Sequence, residues 1–229
     1  MTILKRSTLA MALVTLFLAS RGADAGVILD DSVRGAYDQT GVFATGGSGT
    51  STGNYLTGFY PGSGASTEFR SFFTFDLTSV AGPITSAQFN VAFTPFSGGP
   101  SPVTLNLVLY SGNISTLDSG GAGTAGFAGL ASGTLLGSAT VSTSATGTLG
   151  ITLNAAALAS IQAAEGGNFA IGGSLVGTPP TDYLFAASSG SPLTELVLNG
   201  TAVPEPSSML LMACGLMGIA GAARRRLLA

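Results

Sequence analysis

Carboxylates are the main side chains in the middle of the chain that could do chemistry. Residues 26–203 contain nine of them: Asp30, Asp31, Asp38, Glu68, Asp76, Asp118, Glu165, Asp182 and Glu195. Two carboxyl groups held about 5–9 Å apart can hydrolyse a glycosidic bond, so a secreted polysaccharide hydrolase is one hypothesis. None of the nine lies in a recognisable catalytic motif, and we therefore assign no catalytic residue.

Three of these carboxylates, Asp30, Asp31 and Asp38, could instead offer oxygen ligands to Ca²⁺, which binds roughly six to eight oxygens. Their spacing lacks the dense alternation of aspartates found in a calcium loop, so we expect them to be solvated or to cap turns. Asp76 is expected to hydrogen-bond the turn that follows it, or to pair with Arg70 on the same strand face. The sequence predicts no metal site and no cofactor.

Residue types missing from residues 26–203 exclude several kinds of site. The segment contains no His, Cys or Lys, so Ser-His-Asp triads, Cys-His pairs, Schiff-base lysines and His/Cys zinc sites all lack a required group. Its basic residues are Arg34 and Arg70, which leaves a formal net charge of −7. Neutralising phosphates takes several clustered basic side chains, so nucleic acid is excluded as a partner. The sequence contains a single cysteine, Cys214, so an intramolecular disulfide cannot form.

Four aromatic residues, Tyr37, Tyr55, Phe59 and Tyr60, could form a platform on which sugar rings stack. The chain has no Trp, and aromatic side chains more often fill a core or anchor a loop. A carbohydrate-binding role for these residues is therefore an alternative to a structural one.

The first 25 residues are typical of a secretory signal peptide with a helical apolar segment. Two basic residues precede a mostly apolar stretch over 9–19, and Ala23 and Ala25 occupy the small-residue positions of a cleavage site. The apolar stretch is too short to span a bilayer stably, which argues against a retained anchor. We predict cleavage after Ala25, so that the exported chain begins at Gly26.

The C-terminal residues 203–229 combine three features in a fixed order. A Pro-Glu-Pro turn comes first, an apolar segment over 207–223 follows, and three arginines come last: Pro204, Glu205, Pro206, Arg224, Arg225 and Arg226. As a helix the apolar segment would extend about 26 Å at roughly 1.5 Å per residue, the short limit for a hydrocarbon core of ~30 Å. We predict a single transmembrane helix over 207–223, with the basic tail 224–226 on the cytoplasmic side and the preceding domain outside.

This arrangement resembles the PEP-CTERM sorting signal of Gram-negative bacteria. In that family the tripeptide Pro204-Glu205-Pro206 is what a membrane-embedded exosortase recognises. The resemblance implies transient insertion in the inner membrane, processing near the motif, and delivery to the cell surface or extracellular matrix. Such proteins often accompany exopolysaccharide production, which makes an exopolysaccharide a candidate partner. A plain tail anchor is the alternative for the same residues.

Between the two ends, residues 26–202 show the period-two alternation of β-strands. One strand places Phe69, Ser71, Phe73, Phe75 and Leu77 on one face and Arg70, Phe72, Thr74 and Asp76 on the other. Further strands are predicted around 89–93 and 103–110 and at 27–34, 137–142, 149–153, 168–175, 182–187 and 193–199. Clusters of turn residues separate these strands.

These patterns predict an all-β fold, an antiparallel β-sandwich of jelly-roll type. One short helix is expected over 155–164, with Asn154 as its N-cap. The Gly-, Ser- and Thr-rich segments 40–66 and 118–135 show no alternation and are predicted to be long surface loops.

A second resemblance covers about a third of this domain. The segment Phe69–Leu77 followed by Ile84–Ala87 is similar to a strand–turn–strand signature of exported jelly rolls that resemble carbohydrate modules. Residues 153–158 and 167–173 resemble segments that recur in PEP-CTERM surface proteins. The resemblance implies a fold and defines no ligand-contacting residue.

Together these observations favour a non-enzymatic cell-surface or extracellular-matrix protein. It would be exported by the general secretory route, held transiently in the inner membrane, and sorted by an exosortase. The first alternative is a carbohydrate-binding module for the matrix exopolysaccharide, and the second is a secreted polysaccharide hydrolase.

Overall fold

Two antiparallel sheets and three helices account for most of the residues that the structure, a computed structural model, describes. These residues are 25–44, 55–60, 66–93, 102–142, 147–176, 182–186 and 194–200. In chain order the strands are β1 (Ala25–Asp30), β2 (Val33–Asp38), β3 (Phe43–Ala44), β4 (Tyr55–Tyr60), β5 (Thr67–Asp76), β6 (Ile84–Phe93), β7 (Pro102–Leu109), β8 (Leu135–Ser142), β9 (Gly147–Thr152), β10 (Asn168–Val176), β11 (Tyr183–Ala186) and β12 (Thr194–Gly200). The helices are α1 (Ile114–Asp118), α2 (Gly123–Ser132) and α3 (Ala155–Ala163).

The strands pair into two sheets with strongly mixed chain order. Sheet A has the order β1-β12-β6-β9, and β6 pairs antiparallel with both of its neighbours. Sheet B has the order β11-β4-β5-β10-β7-β8, and β2 lies along β5 with the short β3 beside it. Residues 26–200 form one compact unit. The predicted antiparallel β-sandwich is confirmed as a fold class.

The core between the two sheets is built from the alternating apolar positions of their strands. Phe73 and Phe75 of β5 face Phe89 of β6, with ring centroids 5.0 Å and 6.2 Å apart. Ile161 of α3 is fully buried in the same cluster, so this helix extends the core. The face predicted for Phe73 and Phe75 from period two is confirmed.

A second core lies on the outer face of sheet B. Phe72 points away from Phe73 and is fully buried together with Tyr37 of β2. Leu117 of α1 and Leu130 of α2 cover this face and are themselves fully buried. Sheet B therefore has apolar contacts on both faces, which explains why β5 carries phenylalanines at consecutive positions.

Two predicted loops contain regular structure. The segment 118–135, predicted as a surface loop, contains α2 and the end of α1, so the expectation of one helix is wrong. The Gly- and Ala-rich sequence of α2 has no amphipathic pattern from which a helix could be predicted. Burial of Leu130 against sheet B stabilises the helix instead. The segment 40–66 contains β3 and β4, and β4 forms through pairing with β5 and the distant β11.

Two local predictions can be compared directly with the structure. Asn154 is the N-cap of α3, and its side-chain oxygen accepts a hydrogen bond from the Ala157 N–H at 3.0 Å, as predicted. The strand expected over 27–34 is instead two strands, because the chain bends at Asp31 and Ser32 and passes from sheet A to sheet B.

The predicted signal peptide and transmembrane helix fall almost entirely outside the described residues. Of the signal region, Ala25 alone is described, as the first residue of β1. Within the described part of the chain, no helix combines the length and the apolar character that crossing a membrane requires.

Candidate functional site

The first and last strands of the sandwich are neighbours. β1 pairs with β12, and Gly26 lies beside Asn199, since a Cβ at Gly26 would be 3.2 Å from the Asn199 side-chain oxygen. At the other end of the same pair, the Asp31 N–H donates to the Thr194 carbonyl at 3.2 Å. The chain therefore enters and leaves the sandwich at the same end.

The two segments predicted to direct export, residues 1–25 and 203–229, adjoin the first and last strands of the sandwich in the sequence. Ala25, the predicted last residue before signal cleavage, begins β1. The other predicted site residues lie outside the described residues: Ala23, Pro204, Glu205, Pro206, Arg224, Arg225 and Arg226. β12 ends at Gly200, a few residues before the Pro-Glu-Pro turn.

The three aspartates considered as calcium ligands are not brought together. Asp38 caps a turn, because its Oδ1 accepts hydrogen bonds from the N–H groups of Thr40 at 2.8 Å and Val42 at 2.9 Å. Asp30 is exposed, whereas Asp31 is buried against Arg34. Among the described residues there is no group of three or more His, Cys, Asp or Glu side chains that could hold a metal ion. The turn-capping alternative is the one that the structure supports for Asp38.

Asp76 and Arg70 take separate partners. Asp76 Oδ1 accepts a hydrogen bond from the Thr78 N–H at 2.9 Å. Hydrogen bonding to the Thr78 side chain, and then to its backbone N–H, lowers the pKa of Asp76. Arg70 pairs with Glu68 at 3.0 Å, donates to the Phe127 carbonyl at 3.0 Å, and lies 3.9 Å above the Phe127 ring. Of the two roles predicted for Asp76, the turn contact is confirmed and the pair with Arg70 is wrong.

A buried polar cluster lies where the chain passes between the sheets. We define it as Asp31, Arg34, Tyr55 and Thr194, each at most 5% exposed. Asp31 Oδ1 is 3.2 Å from Arg34 Nη1, while Asp31 Oδ2 has no hydrogen-bond partner among the described residues. Burial raises the pKa of Asp31 to about 6, although the Arg34 guanidinium acts in the opposite direction. Burial also raises the pKa of Tyr55.

The position of this cluster limits its chemistry. A carboxyl group with a pKa near 6 has the proton affinity of a general acid, but Asp31 is only 5% exposed and faces Arg34. The positive charge of Arg34 also opposes binding of a cation at the free Asp31 oxygen. We therefore interpret the buried polar cluster as a structural connection between the two sheets.

The aromatic platform predicted from Tyr37, Tyr55, Phe59 and Tyr60 does not form. Tyr37 is fully buried under the helices, where its hydroxyl donates to the Leu117 carbonyl at 2.7 Å. Tyr55 is buried in the other core, between the sheets. Tyr60 is 39% exposed and packs edge-on against Tyr183. Helices α1 and α2, which the sequence did not reveal, are the reason that Tyr37 is inaccessible.

A cavity of about 400 Å³ opens between the end of β7 and helices α1 and α2. We call it the Tyr110 cavity; its lining includes Tyr110, Ser111, Asn113, Thr116, Ala122 and Ala125. Burial raises the pKa of Tyr110, and the nearby Asp118 carboxylate adds to the rise. The sequence did not predict this cavity, because residues 118–135 were interpreted as a surface loop and the two helices that border the cavity were not expected. Asn113, which caps α1 by accepting from the Thr116 N–H, was the local signal available.

Comparison with known proteins identifies the C-terminal segment. A family model described as the PEP-CTERM protein-sorting motif matches residues 202–226. No curated protein matches the chain significantly. The resemblance stated from the Pro-Glu-Pro turn, the apolar segment and the arginines is thereby confirmed. The motif implies recognition by an exosortase, export with processing at the membrane, and then a cell-surface or extracellular location.

Proposed function

We propose that this chain, with its PEP-CTERM motif at 202–226, is a non-enzymatic protein of the cell surface or extracellular matrix. The motif is the observation that carries the proposal. A signal peptide over 1–25 would start export by the general secretory route. The apolar segment 207–223 would then hold the chain in the inner membrane until an exosortase acts at the Pro-Glu-Pro turn.

The surroundings of the carboxylates support a role without catalysis. Six of the nine acidic side chains in residues 26–203 have polar partners within the sandwich: Asp31, Asp38, Glu68, Asp76, Asp118 and Glu195. Asp118, for example, accepts a hydrogen bond from the Thr74 hydroxyl at 2.7 Å. Carboxylates engaged in this way act as turn caps and strand contacts, and this is the role we propose for them.

The arrangement of strands supports a jelly-roll type of sandwich. β12, the last strand, lies between β1 and β6 in sheet A, while β10 lies between β5 and β7 in sheet B. Such insertion of late strands between early ones is the consequence of the long crossings between sheets in Greek-key and jelly-roll folds. We propose this type for the exported domain, with a structural rather than a catalytic role.

The test of the sorting proposal replaces Pro204, Glu205 and Pro206 by alanine in the full chain. The change leaves the apolar segment 207–223 intact, so membrane insertion should be unaffected. In a host that carries an exosortase, we expect the variant to accumulate unprocessed in the inner membrane and its surface delivery to fall. Cell fractionation and immunoblotting measure both quantities.

A matched control is the substitution Thr201→Ala, which lies outside the residues matched by the motif. This variant should be processed and delivered like the unaltered chain. If the alanine variant of the tripeptide is also processed and released normally, the segment is a plain tail anchor and the sorting proposal is wrong. A host without an exosortase supplies the unprocessed reference form.

A further inference from the structure

The Tyr110 cavity has the size of a small-molecule site. Its volume of about 400 Å³ lies within the range of roughly 300–1,000 Å³ typical of ligand pockets. It is bordered by Tyr110 after β7, by α1, and by one side of α2. The cavity lies on the opposite face of sheet B from the core between the sheets, so a ligand would not disturb the sandwich.

Backbone on both sides fixes the position of the Tyr110 ring. A Cβ at Gly112 would lie 2.5 Å from the Tyr110 hydroxyl oxygen, and one at Gly129 would lie 2.9 Å from Tyr110 Cε2. Both glycines also line the cavity. Any larger residue at either position would therefore displace the ring, and Tyr110 is held as a rigid wall that is only 7% exposed.

The Tyr110 hydroxyl is without a hydrogen-bond partner among the residues that the structure describes. It lies against Gly112 in the wall of the cavity. This hydroxyl therefore favours a ligand that can donate or accept a hydrogen bond in the cavity.

The other polar groups in the lining are uncharged. Ser111 and Thr116 carry hydroxyls, and Asn113 uses its Oδ1 to cap α1, which leaves its amide N–H groups available. Among the described residues that line the cavity, none carries a basic or an acidic side chain. The nearby Asp118 carboxylate is not part of this lining and accepts a hydrogen bond from the Thr74 hydroxyl. The chemistry of the described lining therefore matches a neutral ligand with several hydroxyl groups.

We propose that the Tyr110 cavity binds one neutral sugar residue, as the free sugar or as a unit of a glycan. Tyr110, Ser111, Asn113 and Thr116 would hydrogen-bond its hydroxyls. The small side chains of Ala122, the N-cap of α2, and of Ala125 within α2 leave room for the C–H face of a pyranose ring. This binding is independent of the export route, so it stands or falls separately from the sorting proposal.

The experiment titrates the full chain with neutral sugars and follows binding by saturation-transfer NMR and calorimetry. The chain is kept in a zwitterionic detergent that lacks a sugar headgroup. The panel contains glucose, galactose, mannose, N-acetylglucosamine and their short oligomers, with glucuronic acid as the charged comparison. We expect saturable binding of at least one neutral sugar and weaker binding of glucuronic acid.

Substitution Ala125→Leu fills the cavity from the exposed side of α2. It should weaken binding by at least about tenfold. Ala128→Leu is the matched control, because Ala128 is exposed on the same helix and does not line the cavity. Tyr110→Phe keeps the ring and removes the unpartnered hydroxyl, so it should weaken binding without lowering the melting temperature.

Two results would overturn the proposal. One is the absence of saturable binding to every neutral sugar of the panel at concentrations up to about 10 mM. The other is equal binding by Ala125→Leu and Ala128→Leu, which would place the sugar elsewhere on the domain. The melting temperatures of Ala125→Leu and Ala128→Leu show whether each variant is folded, so a loss of binding can be distinguished from unfolding.

Discussion

At the scale of single residues, the structure gives two aspartates opposite electrostatic surroundings. Asp31 is buried beside Arg34, and burial raises its pKa from 3.8 to about 6. Asp76 is exposed, and its contacts with Thr78 lower its pKa. Both residues are short acidic side chains at strand ends, so the difference between their pKa values comes from burial at Asp31 and from hydrogen bonds at Asp76.

The raised pKa of Asp31 predicts a pH-dependent stability. In the unfolded chain this carboxyl ionises near 3.8 and in the folded chain near 6, so the folded state holds more protons between these values. Its contribution to the free energy of unfolding is therefore larger in acid, falls between about pH 4 and pH 6, and is constant above. Two pKa units correspond to about 3 kcal/mol.

Substitution Asp31→Asn should remove this dependence. The free energy of unfolding of the variant, relative to that of the unaltered chain, should rise by up to about 3 kcal/mol between pH 4 and pH 7. Urea unfolding at both pH values measures it. Asp76→Asn is the control, because the effect of Asp76 on the pH dependence of stability has the opposite sign. The lowered pKa of Asp76 stabilises the fold above the pH range in which Asp76 titrates, and this stabilisation is lost in acid. Parallel profiles for Asp31→Asn and the unaltered chain would contradict the prediction.

At the scale of elements, helix α2 depends on a close approach to strand β10. A Cβ at Gly172 of β10 would lie 2.7 Å from the carbonyl oxygen of Leu130 and 2.8 Å from its Cα. Both of these Leu130 atoms belong to the backbone, which cannot move aside as a flexible side chain could, so position 172 requires glycine. Tyr37 adds a polar connection between β2 and the helices, because its hydroxyl donates to the Leu117 carbonyl of α1 and accepts from the Ala122 N–H at 3.4 Å.

Substitution Gly172→Ala should therefore destabilise the domain by roughly 1–3 kcal/mol, the usual cost of overpacking. Gly167→Ala is the matched control, since a Cβ there meets only the Ala164 carbonyl oxygen, at 3.5 Å. Denaturant unfolding of the two variants gives the comparison. If both lose the same stability, α2 does not pack on β10 as the structure shows.

At the scale of the whole molecule, the last strand completes the sandwich. β12 lies between β1 and β6 in sheet A, and it contributes the buried side chains of Leu196 and Leu198 to the core between the sheets. A chain that stops before β12 would leave β1 without its neighbour and the core open. The domain is therefore complete only when the chain continues to Gly200, just before the sorting motif.

Truncation tests this dependence. A chain of residues 26–200 should show a β-type circular dichroism spectrum and a cooperative melt, without metal, disulfide or membrane. A chain of residues 26–193 should show neither, because it lacks the strand between β1 and β6. A cooperative melt of the shorter chain, or a melt of the longer chain that a chelator abolishes, would contradict this prediction.

The sequence by itself determined the features that depend on neighbouring residues. Alternation along residues 69–77 assigned the two faces of β5, because side chains of a strand alternate whatever it pairs with. Asn154 identified the start of α3, since an N-cap bonds an N–H three residues away. The PEP-CTERM motif was readable because it is a linear order of residue types.

Only the tertiary structure decided the features that depend on distant parts of the chain. Helix α2 has no readable pattern of its own and is held by contacts of Leu130 and Gly172, which are 42 residues apart. The burial of Asp31 and Arg34 together with Tyr55 and Thr194, the burial of Tyr37 and the Tyr110 cavity likewise follow from how helices and strands pack. Such contacts are chosen by the burial of apolar surface across the whole domain, and no short stretch of sequence contains that information.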